Sequence, residues 1–270
     1  MIDMLFRYLS YEFVRNALVV GCLVALCSSV LGVSLVLRRY SMIGDGLSHV
    51  AFGAIAIATV AGIAPLVFSI PVVVLSAVLL LRISDSSRIS GDSAIAMISS
   101  GALALGVCVI SVSGGVNSDI SSYMFGSINA MSRSDVILAV CLSATVLVLY
   151  LLFFNRIFAV TFDESFSAAT GIKAKAYKML IATVSGLTVV VGMRVMGALL
   201  ISALIIFPAL TSMRLFKSFR AVVVSSAVIS VICSFFGIML SCFLDLPTGA
   251  AIVVLNGIVF LLSLAISRFV

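Results

Sequence analysis

The stretch NALVVGCLVALCSSVLGVSLVL, residues 16–37, contains 22 residues and no charged side chain. A helix of this length can cross the hydrocarbon core of a bilayer, which needs about 20 mostly apolar residues. Similar apolar segments follow along the chain, at residues 46–63, 65–83, 94–113, 135–154, 179–193, 196–213, 221–244 and 248–267. The sequence therefore predicts an all-α polytopic membrane protein.

Two of these segments leave the number of transmembrane helices at eight or nine. The segment at 179–193 is short, and the segment at 196–213 contains Pro208. Proline removes a helical hydrogen bond, and broken helices in membrane proteins occur where the backbone lines a pathway and not lipid. The pattern therefore predicts a helix break at Pro208, beside a transport pathway.

The composition excludes a water-soluble protein. Of the 270 residues, 63% are hydrophobic and 10% are charged, whereas soluble domains carry roughly 25% charged residues. Secreted proteins, cytosolic enzymes and nucleic-acid-binding modules are excluded on this ground. Nine spans would use about 180 residues, so we expect residues 16–270 to form a single transmembrane domain. Residues 1–15 mix Arg7, Glu12 and Arg15 with leucine and phenylalanine, which predicts an amphipathic helix at the membrane surface.

The basic residues predict the orientation of the chain. If the N-terminus is outside the cell, the cytoplasmic segments carry twelve of the sixteen lysines and arginines, as the positive-inside rule expects. The longest cytoplasmic connection is 155–178, in which Glu164 to Thr170 can form a short helix that Gly171 would end. This helix is either a connector at the membrane surface or a docking element for a cytoplasmic partner, and composition alone favours the connector.

The single histidine of the chain, His49, follows Asp45 by four residues at the head of an apolar span. On a helix the two side chains share one face, and ionisable groups within a membrane segment are costly and usually face a pathway or a partner. A carboxylate and an imidazole are ligands for Zn²⁺, Mn²⁺ or Fe²⁺. Alternatively, Asp45 caps the helix and pairs with His49 for local stability. The spacing leaves both interpretations open and slightly favours the cap.

Two ligands are too few for a structural metal site, which normally takes four, but they suit a transport pathway that must release its ion. Several other kinds of site are missing from the sequence. No phosphate-binding G-x-x-x-x-G-K-[ST] loop occurs, and neither G-x-S-x-G nor H-E-x-x-H is present. The six cysteines lie in apolar runs without C-x-x-C spacing. We therefore expect a protein that is not an enzyme and that hydrolyses no ATP itself.

Five segments together resemble one family, the membrane permease subunits of the ABC-type manganese, zinc and iron importers, or ABC-3 family. The most specific is the G-D-x-x-S-H element that follows an Arg-Arg pair. The segments span almost the whole chain and are LRRYSMIGDGLSHVAFGAIAIA (37–58), YMFGSINAMSRSD (123–135), FDESFSAATGI (162–172), MGALLISALIIFPAL (196–210) and DLPTGAAIVV (245–254). One departure is Gly126-Ser127, where many relatives have Gly-Asp.

The resemblance implies a type-II-like ABC importer with two permeases, two cytoplasmic ATPases and an extracytoplasmic metal-binding protein. The helix at 162–172 would then be a coupling helix, which reverses the preference for a connector. Asp45 and His49 would contact the ion in transit. Asp245 and Pro247, together with the outer segment 113–135, would face the metal-binding protein. The residues implied to couple to the ATPase are Phe162, Asp163, Glu164, Phe166 and Gly171.

The function implied by the resemblance is ATP-driven import of a divalent transition metal by alternating access across the plasma (inner) membrane. The sequence ranks zinc first, then manganese, then iron. We expect no permanently bound cofactor, a homodimer of permeases, and contact with lipid but not with nucleic acid. The alternative is a proton-coupled secondary metal transporter that needs no ATPase. The scarcity of other acids within the spans argues against it, because proton relays usually use several.

Overall fold

The fold is known from a computed structural model, which describes residues 10–86, 91–113, 126, 132–198 and 200–266. Over these residues the chain forms helices joined by short connections, with no strand. The helices are α1 (Glu12–Leu37), α2 (Ile43–Val60), α3 (Pro65–Ser86), α4 (Gly91–Val112), α5 (Arg133–Leu152), α6 (Phe154–Phe162), α7 (Glu164–Ala169), α8 (Ala174–Met196), α9 (Ile201–Leu215), α10 (Phe219–Leu244) and α11 (Thr248–Ile266).

The predicted all-α membrane architecture is confirmed. Within the described ranges, eight helices are long and apolar enough to cross a membrane, namely α1 to α5, α8, α10 and α11. The short segment predicted at 179–193 belongs to α8, which has 23 residues and is therefore of full length. Helix α9 has only 15 residues. The described residues thus form eight full-length apolar helices and one shorter apolar helix.

The predicted helix break at Pro208 is wrong in its position. Helix α9 runs without interruption through Pro208, which is buried. The break in this apolar segment lies upstream, where α8 ends at Met196 and Gly197 adopts φ 86°. Glycine can adopt this conformation because it has no Cβ, whereas proline is tolerated inside membrane helices when neighbouring helices pack around it.

Helix α1 lies at the centre of the bundle and packs against α5, α8, α9 and α10. Two serines of α10 form hydrogen bonds to the backbone of α1. Ser226 Oγ donates to the Ser29 carbonyl at 3.3 Å, and Ser230 Oγ donates to the Ala25 carbonyl at 2.9 Å. Such contacts matter in a bilayer because lipid supplies little hydrophobic drive for helix association, so close packing and interhelical hydrogen bonds hold the helices together.

Helix α2 forms a second centre and packs against α3, α4, α8 and α9. Its crossing with α4 is very close, because a Cβ at Gly53 would lie only 2.6 Å from the Ala102 carbonyl oxygen. Small residues of this kind let helix backbones approach in membranes. By contrast, α4, α5 and α11 expose large apolar side chains on their outer faces, for example Leu105, Leu151 and Leu261, as lipid-facing helices do.

Several connections that were predicted to be cytoplasmic meet at one end of the bundle. Arg38, just after α1, and Lys178, in α8, both contact Glu164 at the start of α7. Phe219, at the start of α10, packs against Phe162 at the end of α6. This common location agrees with the predicted grouping of these connections on one side of the membrane. The amphipathic helix predicted for residues 1–15 falls mainly outside the described residues, and Glu12 is the first residue of α1.

Candidate functional site

Asp45 and His49 lie together in the first two turns of α2. Their nearest polar atoms, Asp45 Oδ2 and His49 Nε2, are 3.7 Å apart. The Asp45 side chain is 34% exposed and that of His49 is 14% exposed. Both groups are therefore partly sheltered by protein and still open on one side. The predicted sharing of one helix face is confirmed.

A separation of 3.7 Å is too long for a direct hydrogen bond but close to the spacing of two ligands on one ion. Two ligand atoms bound at about 2.0–2.1 Å in tetrahedral geometry are about 3.3 Å apart. A small side-chain rotation would bring Asp45 and His49 to that distance. Among the described residues, no group of three or more histidine, cysteine, aspartate or glutamate side chains is placed to hold a metal. The pair therefore offers two ligands and needs others.

The helix-cap alternative receives only partial support from the geometry. Met42, not Asp45, occupies the N-cap position of α2, and its side chain makes no capping hydrogen bond. Asp45 is the third helical residue, where its charge still favours the positive end of the helix dipole. Ser48 Oγ donates to the Asp45 backbone carbonyl at 2.8 Å, which stiffens this first turn. Asp45 therefore does not act as the N-cap residue of α2.

Two glycines, one on either side of Asp45, let this turn pack closely against its neighbours. A Cβ at Gly44 would lie 2.7 Å from Ile205 Cδ1 of α9, and a Cβ at Gly46 would lie 2.6 Å from Ile95 Cγ2 of α4. The first turn of α2 is thus wedged between α9 and α4. The spacing of glycines on either side of Asp45 was the available signal, because small residues mark close helix crossings.

The short helix predicted in the connection 155–178 is confirmed as α7. Asp163 is its N-cap, and the side chain accepts a hydrogen bond from the Phe166 backbone N–H at 2.8 Å. Gly171 follows the helix with φ 84°, and the Ile172 N–H donates to the Ser167 carbonyl at 2.9 Å. This is the usual glycine-terminated helix end. The preceding helix, α6, was not foreseen.

Two aromatic side chains near α7 are exposed. Phe162 is 60% exposed and Phe166 is 64% exposed. Phe162 still contacts the bundle, because its ring centroid lies 5.9 Å from that of Phe219 at the start of α10. Ser167, the next residue of α7 after Phe166, is fully buried. Exposed aromatic groups at the polar end of the bundle are typical of a surface that contacts another protein.

The carboxylate of Glu164 pairs with cations of the bundle, although its side chain is 44% exposed. Its Oε2 lies 2.7 Å from Arg38 Nη2, and its Oε1 lies 3.2 Å from Lys178 Nζ. The two basic side chains are only 9% and 7% exposed. The first residue of α7 is thus ion-paired to both α1 and α8. Sequence reasoning missed these contacts, because Arg38 and Glu164 are 126 positions apart.

Asp245 and Pro247 form an exposed turn between α10 and α11. Asp245 ends α10 in the left-handed conformation, with φ 53°. Ser241 Oγ donates to the Leu246 carbonyl at 2.6 Å, which fixes the turn. Both predicted residues are accessible there. The other predicted outer region, 113–135, lies mostly outside the described residues.

Comparisons with known proteins cover nearly the whole chain. The model of the ABC 3 transport family matches residues 10–267. The chain is 34% identical over 251 residues to a probable metal transport system membrane protein of Thermotoga maritima, covering 93% of this chain and 89% of the relative. It is 29% identical over 257 residues to a manganese transport system membrane protein of Halalkalibacterium halodurans, covering 95% and 88%.

A solved structure has the same fold. PsaBC from Streptococcus pneumoniae, in complex with Fab, superimposes with a TM-score of 0.87 and is 28% identical. The match covers 97% of this chain and 95% of that chain. The helices around Asp45 and His49 therefore belong to an arrangement already seen in a solved structure.

Proposed function

The chain belongs to the ABC 3 transport family, and from this premise we propose that it is the permease subunit of an ATP-driven importer for a divalent transition metal. It is a multi-pass protein of the plasma membrane, with eight full-length helices among the residues described. The observation that carries the proposal is the Asp45–His49 pair, with nitrogen and oxygen atoms 3.7 Å apart on a partly open helix face.

The pair acts as a transient contact for the ion in transit. A carboxylate and a neutral imidazole bind divalent transition metals, and two ligands hold an ion less tightly than a closed site of four. The remaining ligands come from water or from a second copy of the permease across a symmetric interface. An incomplete set on each chain lets the ion enter from one side and leave from the other.

The energy for transport comes from a separate ATPase. The chain has no phosphate-binding loop of its own. The surface that receives the ATPase is the exposed end of α6 and α7, with Phe162 and Phe166 as its apolar contacts. Asp163 and Gly171 define the two ends of α7 and so hold this surface in shape. Movement of α7 then switches the opening of the pathway from outside to inside.

An extracytoplasmic metal-binding protein delivers the ion at the opposite end of the bundle. The exposed turn with Asp245 and Pro247 offers an acidic group beside a rigid residue. The metal itself is best described by its ligand chemistry, because nitrogen and oxygen ligands serve zinc, manganese and iron alike. Relatives of the chain are named for manganese, for iron and for zinc. The ranking of zinc first stays a prediction.

Growth of cells that lack their own metal importer tests the role of the pair. The permease is expressed with its ATPase under zinc, manganese or iron limitation. Asp45→Asn and His49→Ala should each abolish rescue at unchanged membrane levels. Asp92→Asn, which changes an acid in the first turn of α4, is the matched control and should rescue normally. Full rescue by both pair variants would contradict the pathway role.

A further inference from the structure

We propose that Glu164 is a positioning residue that transmits movement of α7 to the helix carrying Asp45 and His49, through its ion pair with Arg38. The proposal rests on the ATPase-driven function described above. In this role Glu164 acts within the permease, and Phe162 and Phe166 contact the ATPase.

The carboxylate of Glu164 is fully engaged by the bundle. One oxygen lies 2.7 Å from Arg38 and the other 3.2 Å from Lys178. Both cations are nearly buried, while Glu164 itself is 44% exposed. Charge-assisted hydrogen bonds of this kind are the strong ones. Within the described ranges, Glu164 is the carboxylate that lies within ion-pair distance of Arg38.

Arg38 stands directly before the turn that leads to the Asp45–His49 pair. It is the C-cap of α1, and its backbone N–H donates to the Ser34 carbonyl at 3.2 Å. Arg39 then adopts φ 61°, and Tyr40 N–H donates to the Leu35 carbonyl at 2.9 Å. The backbone is therefore tightly bonded at this point.

The same turn joins directly onto α2. The Tyr40 carbonyl accepts a hydrogen bond from the Ile43 N–H at 3.1 Å, and Ile43 is the first residue of α2. Asp45 follows two residues later. A hydrogen-bonded turn has few free dihedral angles. A displacement of Arg38 therefore also displaces the first turn of α2.

Lys178 supplies a second connection. It lies near the start of α8, whose far end at Met196 adjoins the break at Gly197. A Cβ at Gly249, in the first turn of α11, would meet the Met196 carbonyl oxygen at 2.0 Å. Glu164 therefore links α7 to a helix that reaches the other end of the bundle, where Asp245 and Pro247 lie. Glu164 therefore connects the proposed ATPase surface to helices that reach both ends of the bundle.

The test compares Glu164→Gln, Arg38→Gln and the double variant in proteoliposomes that contain the permease with its ATPase. Both the rate of ATP hydrolysis and the metal taken up per ATP hydrolysed are measured. At Glu164, glutamine keeps the size of the side chain and removes its charge; at Arg38, glutamine is a shorter, uncharged side chain that cannot reach the carboxylate in the same way. Each single variant should assemble with the ATPase and hydrolyse ATP within about twofold of wild type, while uptake per ATP falls about tenfold.

Two further comparisons separate transmission from general damage. Because Arg38 acts through Glu164, the double variant should lose no more uptake per ATP than Glu164→Gln alone. Lys175→Gln removes an exposed cation of α8 that lies outside this turn and should leave uptake unchanged. The proposal is overturned if Glu164→Gln fails to assemble with the ATPase. It is also overturned if the fold-losses in uptake per ATP of the two single variants multiply in the double variant. Absence of ATP-driven uptake by the wild-type complex would instead refute the proposed function.

Discussion

Ile205 links the central helix of the bundle to the helix that carries Asp45 and His49. Its backbone carbonyl lies against Gly32 of α1, and its side chain lies against Gly44 of α2. In Gly32→Ala, the new Cβ would lie 2.0 Å from the Ile205 carbonyl oxygen, whereas ordinary contact begins at 3.4 Å. Helices α1 and α9 must therefore separate locally by about 1.4 Å, the difference between these distances.

This separation has a cost that a thermal melt can measure. Overpacking destabilises proteins by roughly 1–3 kcal/mol, and each kcal/mol lowers the Tm of a protein of 150–250 residues by roughly 2–4 °C. We therefore expect the Tm of the detergent-solubilised Gly32→Ala variant, followed by circular dichroism, to fall by about 2–12 °C. Metal uptake should fall as well, because displacement of Ile205 shifts its contact with Gly44 on α2.

A second glycine provides the control. At Gly257 of α11, an added Cβ would meet no atom within 4 Å, and alanine favours a helix over glycine by about 1 kcal/mol. Gly257→Ala should therefore keep or raise the Tm. Equal Tm values for Gly32→Ala and Gly257→Ala would refute the close α1–α9 packing on which the position of α2 depends.

Three other substitutions test separate parts of the structure. Ser230→Ala removes the hydrogen bond to Ala25 and should cost about 0.6–1.7 kcal/mol in a denaturation curve; an unchanged curve would contradict the contact. Gly171→Ala places a side chain at φ 84°, which costs about 1–2 kcal/mol, and should weaken pull-down of the ATPase by fraying α7. Phe166→Ala should abolish that pull-down at normal membrane levels, whereas Phe236→Ala, equally exposed but on α10, should retain it; equal retention would place the ATPase surface elsewhere.

The sequence was sufficient for the fold class and for much of the candidate site. Apolar runs long enough to cross a membrane predicted the membrane helices, because the length and composition of each run are local properties of the sequence. Asp45 and His49 were found because charge is rare in this chain. The end of α7 was predicted from Gly171, since a glycine after a short polar helix is a local signal.

The remainder depends on contacts between residues far apart in the chain. Proline at position 208 was expected to break a helix, but the break lies at Gly197, because tertiary packing maintains the helix around Pro208. Glu164 was assigned to the ATPase contact because residues 162–172 resemble the coupling helix of the family. Only the fold shows that the Glu164 carboxylate forms an ion pair with Arg38, which lies 126 positions away in the chain. Local sequence patterns carry no information about such pairings.

The most direct test of the central claim is metal uptake into proteoliposomes that contain the purified permease with and without its ATPase. We predict uptake only when the ATPase and ATP are both present, and its loss in Asp45→Asn and His49→Ala at unchanged rates of reconstitution. Uptake by the permease alone, driven by a pH gradient without ATP, would contradict the account and support proton-coupled transport.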